Sequence, residues 1–257
     1  METSRGAVVI TGGTSGIGRA IARCVIATGF RSVVLTRGAA AETVDHSNKM
    51  TPAFVRSDLS APKAAASALE GALQRLSDPL VGLILCAATY GKGPRHDLAS
   101  STVEEWDQII STNLASSFEL IKVALPVLRR APSSFILGIS SRAAIESSPG
   151  RAIYSAAKAG QAALLAALSD ELEGSPVSVV QMFPQDQVAT PGLARRRPPG
   201  FAFEGYSRPE IFDKPVMNCL AVCGAGLNGS VLMVGSDGSS KDVRSVFYPN
   251  CHVALDD

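Results

Sequence analysis

Val8-Val9-Ile10-Thr11-Gly12-Gly13-Thr14-Ser15-Gly16-Ile17-Gly18-Arg19-Ala20-Ile21 is the stretch on which the fold turns. An apolar run stops at Thr11. A turn carrying Gly12, Gly13, Gly16 and Gly18 follows, and an apolar-periodic segment starts at Ile17 and continues through Val25. Strand, glycine turn and helix in that order are the context in which such glycines bind a dinucleotide. Gly12 permits the tight turn, Gly16 lets backbone N–H groups approach a pyrophosphate, and Gly18 lets the helix pack close on the strand. The helix N-terminus then faces the phosphates with its partial positive charge. A glycine-rich loop that binds nothing has the same local pattern, so the rest of the chain has to decide.

Outward from that turn, strand and helix patterns alternate. Ser32–Thr36, Ala53–Val55, Leu80–Ala87, Ser134–Ser140, Val177–Phe183 and Ser230–Val234 read as further strands. Ala61–Leu76, Ser101–Arg130 (bent near Pro126), Arg151–Glu173 and Pro209–Cys223 read as helices, and 38–50 as a short helix or loop. Such alternation predicts a parallel sheet covered on both faces. No repeat or shift in composition divides the chain. Residues 1–257 therefore read as one α/β domain of Rossmann type, doubly wound, with about seven parallel strands. The aperiodic, proline-bearing stretch within 185–213 is expected to form a substrate lid.

Composition narrows the function classes. A formal net charge of +1 gives no electrostatic case for nucleic acid or a membrane surface. The first strand starts within about seven residues of Met1, leaving no room for a signal peptide, and no apolar run reaches bilayer-spanning length. A cytoplasmic location is expected. Cys24, Cys86, Cys219, Cys223 and Cys251 form no metal spacing with the three histidines, so reduced thiols and no metal are expected.

In doubly wound sheets ligands sit beyond the carboxyl ends of the strands. After the second strand stands Arg37, with no carboxylate beside it. A 2′-phosphate wants a cation there and a 2′-hydroxyl an acid, so NADP(H) is favoured over NAD(H), and Ser15 could reach the same phosphate. Asp58 can accept from an adenine amino group, and Cys86-Ala87 is small enough for a flat ring to lie close. Tyr154 and Lys158 are four apart on a helix and share one face. An ammonium beside a phenol stabilises the phenolate, lowering its pKa, and the pair can then exchange a proton with an alcohol or carbonyl. Ser141 could hold the substrate oxygen. Asn113, a poor helix former inside a helix, makes sense if its side chain or a disturbed backbone carbonyl holds a water near Lys158.

Together these residues resemble one family, the short-chain dehydrogenases/reductases, across residues 6 to about 235. Thr11 to Gly18 resembles its TGxxxGxG turn, Asp58-Leu59 its adenine-side acid and Tyr154-Ser155-Ala156-Ala157-Lys158 its YxxxK motif, with Ser141 thirteen residues earlier. The resemblance implies a catalytic set of Asn113, Ser141, Tyr154 and Lys158. It implies a cofactor set of Gly12, Thr14, Ser15, Gly16, Ile17, Gly18, Arg37, Asp58, Leu59, Cys86, Ala87, Tyr154, Lys158, Pro184, Val188 and Thr190. In that family the helices over 101–125 and 151–173 pair between subunits, which implies a homodimer or homotetramer. Two segments depart from the pattern: Leu85-Cys86-Ala87-Ala88 lacks an asparagine that supports the sheet, and the Pro184–Thr190 loop carries Gln185 and is longer by one residue.

The reading is an NADP(H)-dependent oxidoreductase acting on a small, apolar carbonyl or alcohol. Phe201, Phe203 and Tyr206 either line its pocket or anchor the lid. Arg195-Arg196-Arg197 could meet an anionic substrate but reads first as a solvated run, and His96 could face the pocket but reads first as an exposed loop histidine. A redox-neutral lyase, isomerase or cyclase, or a dinucleotide-sensing protein, are the alternatives on the same fold.

Overall fold

A computed structural model describes residues 5–38, 51–91 and 95–248. The expected short element at 38–50 and Cys251 lie outside the described residues apart from Gly38. The chain runs β1 (Ala7–Thr11), α1 (Gly16–Ala27), β2 (Arg31–Thr36), β3 (Ala53–Arg56), α2 (Pro62–Gln74), β4 (Leu80–Leu85), α3 (Val103–Ile110) and α4 (Ser116–Leu128). It continues through β5 (Ser134–Ile139), α5 (Ala152–Glu171), β6 (Val177–Pro184), α6 (Pro191–Ala194), α7 (Asp213–Ala221), β7 (Val231–Val234), β8 (Ser240–Asp242) and α8 (Arg244–Phe247).

The strands form one sheet in the order β3-β2-β1-β4-β5-β6-β7-β8. The first seven are mutually parallel, as expected, and β8 runs antiparallel to β7 with Leu232 opposite Asp242. β8 is an addition to the expected architecture. It is three exposed polar residues, Ser-Lys-Asp, so neither apolar alternation nor burial marks it in the sequence.

Both faces of the sheet are dry. Val8, Ile10, Val180 and Met182 pack under Ile21 and Val25 of α1 and Val216 and Leu220 of α7. Val9, Leu83, Ile136 and Val179 pack under Leu69 of α2, Leu120 and Leu128 of α4 and Leu165 of α5. Alternate residues of each strand thus serve opposite layers, which is why the strands read as continuous apolar runs rather than alternating ones. Strand order reverses between β1 and β4, which places the ligand crevice over their carboxyl ends.

The long helix expected over Ser101–Arg130 is interrupted, and not at Pro126, which lies inside α4. The break is a π turn, Ser111–Ala115, between α3 and α4, with Asn113 fully buried in it. Short π segments cluster at functional sites because they redirect side chains and free carbonyls. The expected helix Pro209–Cys223 likewise divides, into a 3₁₀ turn Pro209–Phe212 and α7.

The sheet centre tolerates little extra volume: a Cβ on Gly82 would stand 2.6 Å from Cζ of the buried Phe135 on the neighbouring strand. Gly82→Ala is expected to cost about 1–3 kcal/mol by overpacking and Phe135→Ala roughly 3–5 kcal/mol by leaving a cavity. Combined, they should cost less than the sum, a coupling that urea denaturation of the two single variants and the double variant measures.

Candidate active site

The β1–α1 turn is built for close approach. Gly12 has φ +72°, and a Cβ there would sit 2.9 Å from the Ala87 Cα at the end of β4. A Cβ on Gly18 would collide with the Gly12 carbonyl, so the helix can start against its own strand only with glycine at that place. Ser15 caps α1 in extended conformation without a side-chain hydrogen bond, and Thr14 and Ser15 are exposed. The first turn of α1 therefore has no capping side chain and no acidic residue. Donor groups at an unpaired helix end beside a glycine turn fit a dinucleotide pyrophosphate. Gly16 faces Thr190, whose methyl carbon lies 3.2 Å from where a Cβ would be. Ile17 packs partly against the core.

Arg37 leaves the end of β2 exposed to solvent, and its charge helps hold the neighbouring Asp58 carboxyl below its usual range. The larger cause is the Ser60 backbone N–H, which donates to Asp58 Oδ1 at 3.0 Å, joined by the Ser60 hydroxyl at 2.8 Å. Leu59 sends its side chain into the core, so only its backbone faces the crevice.

The floor of the crevice is pinned from two sides. Thr11 Oγ1 accepts from the backbone N–H groups of Cys86 at 2.9 Å and Ala87 at 3.0 Å. Asn113 forms a two-point clamp on Thr89: Nδ2 donates to the Thr89 carbonyl at 2.7 Å and Oδ1 accepts its N–H at 2.8 Å. These bonds supply the support that the missing asparagine at 85–88 puts in question. Burial pushes the Cys86 thiol up to about 12, against the pull of the Lys158 ammonium, so it stays protonated.

Tyr154 and Lys158 occupy one face of α5, both buried. The Tyr154 hydroxyl lies near enough to the Ser141 and Tyr90 hydroxyls to be influenced by both, and Ser141 Oγ accepts the Ala143 N–H at 3.2 Å. The Tyr90 ring lies on the Tyr154 ring with centroids 4.4 Å apart. Lys158 Nζ donates to the Ile139 carbonyl at 3.0 Å and to Gln161 Oε1 at 2.9 Å. Gln161 Nε2 donates to Ser117 Oγ at 2.7 Å, and Ser117 Oγ in turn donates to the Asn113 carbonyl at 3.4 Å. A polar chain thus runs from the π turn to the ammonium through side chains. Burial lowers the Lys158 pKa to about 8. The expected lowering of the phenol is not what this geometry produces: burial, then Tyr90, push Tyr154 well above a phenol's ordinary value. The Lys158 ammonium spends its donors on Ile139 and Gln161 instead.

Sequence reasoning did not single out Tyr90, Gln161, Ser117 or Thr11 as members of the site. Gln161 carries a readable signal, an amide one turn beyond Lys158 on the same helix face in an otherwise alanine-rich segment.

The lid is tied down. Ala189 N–H donates to the Ser207 carbonyl at 2.8 Å and Ser207 N–H to the Gln187 carbonyl at 2.9 Å. Thr190 caps α6 through Oγ1, which accepts the Leu193 N–H at 3.2 Å; Val188 is buried in the core, and Pro184 ends β6. Arg142 donates to the Gln185 carbonyl at 2.8 Å, fastening the lid's start to the Ser141 loop. Phe201, Phe203 and Tyr206 pack edge-to-face on one another, so they build the lid rather than an apolar substrate pocket.

The cavity that Tyr154 does face has a volume of ≈ 420 Å³. Its walls include Tyr90, Leu193, His96 and four arginines, which corrects one expectation. The pocket sets four guanidiniums among apolar side chains such as Leu98, Ile109, Ile153 and Leu193, and Arg196 and Arg197 are not a solvated run. Arg196 donates to the Gly91 carbonyl at 2.9 Å and the Tyr90 carbonyl at 3.2 Å, and Arg197 to the Tyr206 hydroxyl at 2.9 Å. His96 also faces this cavity, with Nε2 at 2.9 Å from a Glu105 carboxylate oxygen. Among the described residues no helix is long and apolar enough to cross a membrane, and no cluster of potential metal ligands occurs.

Comparison with known proteins bears on the family and the fold. The short chain dehydrogenase family profile matches residues 6–198. A D-beta-hydroxybutyrate dehydrogenase of Rhizobium meliloti is 28% identical over 215 residues, covering 81% of both chains. A 3-dehydrosphinganine reductase of Arabidopsis thaliana is 33% identical over 207 residues, 79% of this chain and 59% of that longer one. The solved RhlG/NADP active-site complex of Pseudomonas aeruginosa superposes with a TM-score of 0.78 at 26% identity, over 93% of this chain and 97% of that one. With the glycine turn, the Ser141, Tyr154 and Lys158 constellation and the seven parallel strands in place, the chain belongs to the short-chain dehydrogenase family, an α/β oxidoreductase family of Rossmann-like fold.

Proposed function

We propose that the protein is an NADP(H)-dependent oxidoreductase that interconverts a carbonyl and an alcohol on a small organic substrate. The observation that carries this reading is the buried Tyr154 near the Ser141 hydroxyl, four residues before Lys158 on α5 and in the wall of a cavity. The nicotinamide, when bound, supplies or accepts the hydride. Tyr154, kept protonated by its surroundings, donates a proton to the carbonyl oxygen, which Ser141 orients. Lys158 holds the nicotinamide ribose and supplies positive charge beneath the phenol. Asn113 fixes the crevice floor and, through Ser117 and Gln161, the ammonium. The glycine turn takes the pyrophosphate and Arg37 a 2′-phosphate.

The exposed Trp106 and Phe118 on α3 and α4 support self-association into a homodimer or homotetramer. The substrate is a small molecule, with neither nucleic acid nor membrane as partner, and the compartment is the cytoplasm.

Incubation with NADPH and a panel of ketones is expected to give alcohol with stoichiometric NADPH oxidation; product formed without net oxidation would point to a redox-neutral reaction. Tyr154→Phe should lower kcat by about 10²-fold or more with little change in NADPH binding, because it removes only the proton. Wild-type turnover in that variant would exclude Tyr154 as donor.

Replacing Arg37 by Glu should raise KM for NADPH about tenfold or more and lower the NADPH/NADH preference accordingly, as a cation facing the phosphate becomes an anion.

The pH profile carries a third expectation. Lys158 is charged below its lowered pKa of about 8 and neutral above it. Reductive kcat/KM should therefore fall as pH rises through about 8. In Lys158→Arg, whose guanidinium stays charged, that fall should move to higher pH whatever the variant's absolute rate.

A further inference from the structure

The cavity beside Tyr154 holds more positive charge than proton transfer requires. Arg95, Arg151, Arg196 and Arg197 all border it. Among the described residues, Arg95, Arg151 and Arg197 have no carboxylate partner. Arg95 donates to the Pro149 carbonyl at 3.4 Å, Arg197 to a neutral tyrosine hydroxyl at 2.9 Å, and Arg151 lies over the Tyr90 ring at 5.1 Å from its centroid. Two carboxylates share the walls: Asp97, exposed, and Glu105, already engaged by His96. The guanidiniums act on one another, since burial and then the charges of Arg151 and Arg197 lower the Arg95 pKa.

A second, independent feature converges on the same space. The 20-residue helix α5 begins there, with Ala152 and Ile153 in the cavity wall. Arg151 is its N-cap, no side chain caps it, and its first turn holds no acid. A long helix presents its partial positive end to whatever sits before that turn, and unpaired N–H groups there suit an oxyanion. Tyr154 is in the first turn of the same helix, so a group bound at the start of α5 lies close to the reacting hydroxyl. A volume of ≈ 420 Å³ is near the small end for ligand pockets and admits a small molecule rather than a polyanionic chain.

We propose that this cavity is an anion subsite, and that the substrate is a small carbonyl or hydroxy compound bearing a carboxylate or phosphate. Arg95, Arg151 and the first turn of α5 hold its charge while Tyr154 meets its reactive oxygen. Arg196 serves the wall, bound to two backbone carbonyls. The proposal rests on the oxidoreductase reading for the reactive oxygen, whereas the anion site itself can be measured without turnover.

The test compares matched ketones with NADPH: levulinate against methyl levulinate, and dihydroxyacetone phosphate against dihydroxyacetone. The anion of at least one pair is expected to exceed its neutral partner in kcat/KM by about tenfold or more, with an advantage that shrinks as salt rises. Which pair shows it separates a carboxylate from a phosphate ligand. In the Arg95→Gln/Arg151→Gln double variant the ratio of anion to neutral should collapse toward one; the single, more exposed Arg95→Gln gives the same direction should the double variant fail to fold. Neutral partners reduced as well as both anions would overturn the proposal. If none of the four ketones is reduced, the redox reading loses its support and calorimetry decides the subsite alone. Succinate or inorganic phosphate binding to the wild type and at least about fivefold weaker to Arg95→Gln upholds it; no binding, or binding that ignores the substitution, overturns it.

Discussion

A buried ammonium organises this site. Lys158 is 1% exposed, and taking a charge out of water costs several kcal/mol unless hydrogen bonds replace the lost solvent. Here the replacements come from the Ile139 carbonyl at the end of β5 and the Gln161 amide one turn along α5. Gln161 is held by Ser117 of α4, and Ser117 by the Asn113 carbonyl in the π turn. Satisfying one charge therefore fixes a strand end, two helices and a helix defect relative to one another. The pKa of about 8 says that the replacement is incomplete, since burial still penalises the cation.

The same balance decides the state of Tyr154. Opposing effects act on this phenol: the Ser141 hydroxyl and the Arg151 charge favour phenolate and burial disfavours it. Burial leads here, reinforced by a second phenol, Tyr90, whose ring lies tilted against the first with centroids 4.4 Å apart. Tyr90 is itself flanked by cations, with Arg151 at 5.1 Å and Arg196 at 5.3 Å from its ring centroid. Cation–π contact of this kind fixes ring position. Tyr90 thus links the lid, through Arg196, to the proton-bearing hydroxyl. A protonated phenol is the form that donates, and donation to a carbonyl oxygen is the reductive direction.

The fold was legible because its determinants are local and periodic. The apolar runs of β1, β2, β4, β5 and β6 are buried on both faces, and runs of that kind have no other home in a domain of this size. β8 and α8 were not, because exposed segments of three and four residues carry no periodic signal. The break at Asn113 was half legible: an asparagine misplaced in a helix points to disturbed backbone, but not to the Thr89 clamp, which joins residues 24 apart. The lid misled for a related reason. Phe201, Phe203 and Tyr206 are apolar, but whether they face a ligand or one another depends on a chain path that no local pattern encodes. The charge of Arg196 was read as solvated for want of the same information, since Tyr90 and Gly91, which receive it, are more than 100 residues earlier.

A net charge of +1 also conceals where the charges are. Averaged over the chain, it gives no electrostatic case for a polyanion as partner. An enclosed cavity obeys a different rule. Low-dielectric walls strengthen each interaction inside and keep the field local, so four guanidiniums set against one exposed carboxylate and one engaged by His96 can favour a small anion while the protein as a whole stays near neutrality. Arg37 follows β2, whereas Arg95 and Arg151 follow β4 and β5, on the other side of β1 in the strand order, and border the cavity at Tyr154. Arg37 and the cavity arginines are thereby separate, so that the proposed cofactor phosphate and the proposed substrate anion would each be met by its own cations.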